Sequence, residues 1–156
     1  YPLMAVIAAM AHDETEGRVY WDGERSRIAY RPIRADRETL ALGARAAGRI
    51  LLAAGAREVS VPGIPPFTAR TDREPEGFTS ERFLPHDVPL TAVHPMGSMP
   101  MGTDPHTSVC DERGAHHQLA GLWVADGSLF PTSTGTPPQL PIYTFGLRTA
   151  RAILAA

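Results

Sequence analysis

The sequence predicts an α+β fold in which an antiparallel sheet packs with helices. Three observations predict it. Two alternating runs flank Asp22-Gly23 in "GRVYWDGERSRIAYRPI", a β-hairpin signal. An apolar stripe of helical period runs through residues 36–54. Near the end, a short buried-type strand, "LWVAD" at 122–126, is followed by a turn-rich segment and a second helical pattern.

The opening "YPLMAVIAAM" is apolar but far too short to span a bilayer, and it lacks a basic leader and a clean cleavage site. It reads as a buried strand or short helix, and residues 3–33 as a whole read as β structure. In the hairpin, Val19 and Trp21 share one face of the first strand, and Ile28 and Tyr30 one face of the second. The helix at 36–54 takes Asp36 as N-cap and Gly55 as its stop, with Leu40, Ala44, Ala47, Leu51 and Ala54 as its buried stripe. "REVSVPG" is a short strand ended by Pro62. Residues 62–89 are rich in Pro and charge without periodicity, so they read as one long loop, a lid or binding segment. The closing "PIYTFGLRTARAILAA" is a helix with Pro141 in its first turn and Ile142, Phe145 or Gly146, Thr149 and Ile153 facing inward.

Bulk composition narrows the class. A chain of 156 residues is one domain or one large piece of a domain. A net charge of -2 gives no reason to expect nucleic acid or an anionic membrane as partner. The cations are all arginine, and their scatter reads as coding bias rather than a binding surface. Cys110 is the sole cysteine, so no disulfide forms within the chain, and a cytoplasmic location is favoured over a secreted one.

The stretch richest in chemistry is "HPMGSMPMGTDP" at 94–105. Pro and Gly break it too often for a helix, yet it is too apolar for an ordinary solvent loop. Taken alone, His94 at its head reads as a structural histidine bonded to backbone or as a base walled by apolar side chains. Asp126 and Gly127 end the "LWVAD" strand, where cofactors sit in open α/β sheets. Taken alone, they also read as a common Asp-Gly turn.

Three segments together, "HPMGSMPMGTDPHTSVCD", "GLWVADGSLFPTSTGTPPQLPIY" and "GLRTARAIL", resemble the C-terminal part of the glucose-methanol-choline oxidoreductases. The resemblance is specific from His94 to Ala156; residues 1–60 fit the family's sheet-plus-helix substrate region more loosely. It implies two regions, 1–93 for substrate binding and 94–156 for catalysis and FAD contact, the last strand and helix completing an FAD-binding α/β domain. The family's Gly-x-Gly-x-x-Gly fingerprint is absent, so an N-terminal FAD-binding portion of the same enzyme is the expected partner, with a small-molecule alcohol as substrate. Oxidising an alcohol moves a hydride to flavin while the hydroxyl loses its proton. A neutral imidazole, with an ordinary pKa of about 6.5, suits that proton. By position, His94 matches the family's histidine at the flavin's reactive edge. The family's second polar residue, Asn or His, aligns with Pro137, which has no side-chain donor or acceptor. Gln139 or Thr136 is a substitute within the chain; a residue from the missing portion or a single-base site are the other solutions. The resemblance assigns Asp126 and Gly127 to the FAD, and Pro138 and Gln139 to the helix start that faces its pyrimidine edge.

Other residues carry less. His106, Cys110, His116 and His117 form a Cys/His group whose spacing matches no standard zinc pattern. His117 aligns with a recurring family histidine of packing or hydrogen-bonding role. His12 and His86 have no motif around them. Ser128, Ser133 and Thr132 sit in no nucleophile elbow. Two alternatives stand beside the oxidoreductase: a non-catalytic α+β ligand-binding module, which Pro137 favours, and a metal-binding domain on the Cys/His group.

Overall fold

A computed structural model describes residues 3–84 and 86–156. The chain is α+β, with two small antiparallel sheets and two helices. It forms two compact units, the first ending at Thr91 and the second Ala92–Ala156.

In the first unit, β1 (Arg18–Trp21) pairs with β2 (Ser26–Ala29), and the rest of 3–33 is irregular rather than sheet. Asp22 closes the turn by accepting the N–H of Glu24 and Arg25, and Gly23 adopts φ +104°. Register sets Val19 opposite Ile28 and Trp21 opposite Ser26, so Val19, Trp21 and Ile28 share one face. That face is open: the three side chains are 65%, 65% and 78% exposed.

The first helix, α1, spans Arg34–Ala53, with Ile33 as its N-cap and no side-chain cap bond. Asp36 is therefore not the cap. It lies in the first turn, buried, and its carboxylate accepts the N–H of Glu14 (2.9 Å) and of Thr15 (3.0 Å). The inward line is Ala41, Ala44, Gly48 and Leu52, turned by about one residue from the expected stripe. Gly48 explains the rotation, because a Cβ there would meet the Phe78 ring and Pro75 at 3.3 Å.

The stretch 62–89 does not remain one long loop. Strand β3 (Val59–Val61) pairs with β4 (Phe67–Ala69), and two short 3-10 turns follow at Glu74–Gly77 and Ser80–Arg82. Phe67, Ala69 and Phe78 form a core against Ala44, Leu52, Val61 and Val88. Arg45 donates to the Phe78 carbonyl at 3.1 Å, which ties the segment to α1. No period was visible because each aromatic anchor sits on a different short element.

In the second unit, α2 spans Gln139–Leu154 and turns Thr149 fully inward, while Ile153 is exposed. The expected "LWVAD" strand is a departure: among the described residues it holds a single bridge, Trp123 to Ala115, and no regular ladder. A strand needs neighbours to be a strand. Leu129, Phe130 and Cys110 form the interior, and the Phe130 and Phe145 rings meet edge-on at 5.2 Å. No helix among the described residues is long and apolar enough to cross a membrane.

Candidate active site

The His94 segment is held by backbone. Its Pro and Gly residues exclude regular pairing, so it runs as a strap beside the turn after Asp126. Met99 N–H donates to Ser128 O (3.0 Å) and Met101 N–H to Leu129 O (2.9 Å). Upstream, the Pro95 carbonyl oxygen lies 3.3 Å from where a Cβ on Gly127 would stand. Ile142 of α2 crowds the same point, its Cδ1 also at 3.3 Å. The residues next to His94, the end of 122–126 and the first turns of α2 thus meet at Gly127. Gly127 is buried, and its missing side chain serves protein packing.

The His94 ring is half-buried, and its Nδ1 is buried with no hydrogen-bond partner among the described residues. A buried polar atom without a partner is uncommon and calls for an explanation.

Asp126 is exposed and caps the short turn Gly127–Leu129, one carboxylate oxygen accepting the N–H of Ser128 at 2.8 Å. The Ser128 hydroxyl donates to the same oxygen. These bonds, hydroxyl first, hold its pKa below the ordinary value against the opposing effect of partial burial. The second oxygen has no hydrogen-bond partner among the described residues.

Pro138 is buried at the head of α2, which has no side-chain cap and no acidic residue in its first turn. Pro141 has no N–H, so Gln139 and Leu140 supply the free donors there. The Gln139 amide donates to Tyr143 Oη at 2.6 Å on its own helix. Pro137 and Thr136 are exposed, and among the described residues neither these nor Gln139 hydrogen-bonds His94. An uncapped helix start and an open carboxylate oxygen fit a cofactor with a negative edge and sugar hydroxyls.

The Cys/His group is not one constellation. Among the described residues no three His, Cys, Asp or Glu side chains converge as a metal site. His116 Nδ1 accepts the N–H of Gln118 and Leu119. His117 Nε2 lies 2.9 Å from Ser108 Oγ and 3.2 Å from Gly102 O. Ser108 Oγ donates to Asp104 O at 2.6 Å. Both carbonyls can only accept, so the serine proton faces Asp104 and Nε2 carries hydrogen. The pair is a clamp and not an activated nucleophile. Buried Cys110 has its thiol pushed up by burial and by neighbouring Asp111. A packing or hydrogen-bonding part for His117 was expected, but its partner Ser108 was not; "TDPHTS", an Asp-Pro turn start, was the signal for it.

A family model described as GMC oxidoreductase, its C-terminal domain, matches residues 13–146. The chain belongs to the GMC oxidoreductases. Members of this family are generally FAD-dependent. An uncharacterized GMC-type oxidoreductase of Mycobacterium tuberculosis is 31% identical over 156 residues, covering 99% of this chain and 24% of the relative. The long-chain-alcohol oxidase FAO4B of Arabidopsis thaliana is 32% identical over 161 residues, covering 91% and 20%. A paromamine 6'-oxidase of Streptomyces fradiae is 37% identical over 62 residues, covering 40% and 12%. The chain thus spans about a quarter or less of the length of these relatives. No solved structure matches it.

Proposed function

We propose that the chain is the C-terminal portion of an FAD-dependent GMC oxidoreductase that oxidises an alcohol, with His94 as general base. The observation that carries this reading is the meeting of the His94–Pro95 strap, the Asp126 turn and the start of α2 at Gly127. Long-chain-alcohol oxidases among the relatives support an alcohol as substrate class.

FAD, when bound, supplies the acceptor for the hydride that leaves the alcohol carbon. His94 Nε2 takes the hydroxyl proton as the C–H bond breaks. That role requires a bare Nε2, hence hydrogen on the buried Nδ1. Met96 and Met99, both half-buried, give the strap after His94 an apolar character suited to a dry site. The other oxygen of Asp126 would accept a sugar-alcohol hydroxyl of the cofactor, and the Gln139 and Leu140 N–H groups would serve its negative edge. Pro137 is assigned no proton. Gln139 gives one amide hydrogen to Tyr143 and keeps its second hydrogen and its carbonyl oxygen for the part of the second polar group.

The test is anaerobic addition of a primary alcohol to the full-length protein, with flavin absorbance followed in time. The absorbance bleaches, and His94→Ala slows bleaching by about 10²–10⁴-fold with flavin retained. An unchanged rate removes His94 from the mechanism. Bound flavin that no alcohol bleaches supports the non-catalytic module that Pro137 favours.

A further inference from the structure

We infer that Gly127 is a positioning residue for the His94 imidazole, which it places through the Pro95 backbone and not through contact with the cofactor; this rests on the reading of His94 as the base. No side chain among the described residues hydrogen-bonds the His94 ring. Its location is therefore set by the backbone that carries it. That backbone is fixed downstream by Met99 and Met101 donating to Ser128 and Leu129. Between those bonds and His94, the constraint nearest the ring is the Pro95 carbonyl seated against Gly127.

The space there is defined from two sides. A Cβ on Gly127 meets Pro95 O at 3.3 Å and Ile142 Cδ1 at 3.3 Å, both closer than side-chain carbons ordinarily approach. Gly127 has no positive φ, so the glycine is required by close approach and not by backbone conformation. Ile142 belongs to α2, whose next turns are anchored by the Phe130–Phe145 contact and by buried Thr149. Thus α2 stays, and a methyl group at 127 displaces Pro95 by a few tenths of an ångström, and His94 with it. Proton transfer between positioned groups is sensitive to such shifts.

The experiment uses the full-length flavin-loaded protein with selectively labelled histidine. Gly127→Ala is expected to lower the flavin reduction rate at saturating alcohol at least about tenfold. Flavin content and the alcohol concentration at half-saturation stay within about twofold, and the His94 ring resonances shift. Adding Ile142→Val removes Cδ1, one of the two crowding atoms, and returns both rate and resonances toward wild type. Loss of flavin from Gly127→Ala would overturn the inference in favour of a direct cofactor contact. An unchanged His94 resonance, or a defect that Ile142→Val leaves untouched, would also overturn it. If Gly127→Ala alone does not accumulate, recovery of folded, flavin-loaded double variant supports the crowding, and failure of the double variant overturns it. A wild-type reduction rate in His94→Ala defeats the general-base reading instead, while the resonance shift still reports whether Gly127 places the ring.

Discussion

The carboxylate of Asp36, in the first turn of α1, accepts hydrogen bonds from both the backbone N–H and the hydroxyl of Thr15, 21 residues earlier. It also accepts the N–H of Glu14, so it fastens an irregular segment to the helix. Burial alone raises its pKa, but these donors, with His12 nearby, bring it below the ordinary 3.8. A carboxyl depressed in the folded state contributes stability above its unfolded pKa and loses it as pH falls through the folded value. The full chain therefore loses this contribution below about pH 4, and Asp36→Asn removes that part of the acid dependence. Asp36→Ala, which leaves the two N–H groups without their acceptor, costs about 1–3 kcal/mol. Denaturant titrations at neutral and acid pH check both; equal acid slopes in wild type and Asp36→Asn would refute the assignment.

Gly114→Ala is expected to be among the most damaging single-methyl changes in the second unit. Gly114 adopts φ +90°, and a Cβ there would stand 2.5 Å from Val124 O and 2.7 Å from Thr149 Oγ1. Both partners are constrained, since Val124 N–H donates to Gly114 O and Thr149 is buried in α2. Overpacking and backbone strain together cost on the order of 2–5 kcal/mol. A melting temperature within a degree or two of wild type would show that the approach of Gly114 to Val124 and to α2 is looser than described.

His117→Ala leaves the Gly102 carbonyl without its side-chain donor and frees the Ser108 hydroxyl on one side. The expected loss is about 1–3 kcal/mol of stability in the second unit. His117→Gln, whose amide can donate in place of Nε2, recovers part of it. Chemical denaturation of the three proteins side by side decides the matter, and a Gln variant no better than Ala would argue against the donor role.

The 156-residue chain produced alone is expected not to retain FAD. In the proposed function its contribution is one turn, one helix start and one carboxylate oxygen, too few groups to enclose a dinucleotide. Gel filtration with excess FAD, followed by absorbance, measures this directly. A yellow complex of one flavin per chain would mean that the cofactor site is misplaced.

Local chemistry was legible where one short stretch carried the whole signal. Asp22-Gly23 made its turn, and the 36–54 pattern made a helix two residues longer at its start. Tertiary contacts were not legible. Asp36 looked like a cap but serves a distant loop, and Phe67, Phe78 and Phe83 build a core without any period between them. In the candidate site the residue types were readable, while their present engagements were not. Gln139 is occupied by Tyr143, Asp126 partly by Ser128, and Gly127 is shaped by Pro95 and Ile142. Each of those depends on where a neighbouring segment crosses, which spacing along one chain does not encode.

The β1–β2 ribbon has a further consequence for handling the molecule. Each of its strands has one edge without a ladder partner among the described residues, and Val19, Trp21 and Ile28 turn an uncovered oily surface to water. Such a ribbon is a template for strand addition by other copies. A preparation of these residues by themselves is expected to self-associate as its concentration rises, seen as increasing light scattering, and a charged residue at Val19 or Ile28 is the simplest way to keep it dispersed.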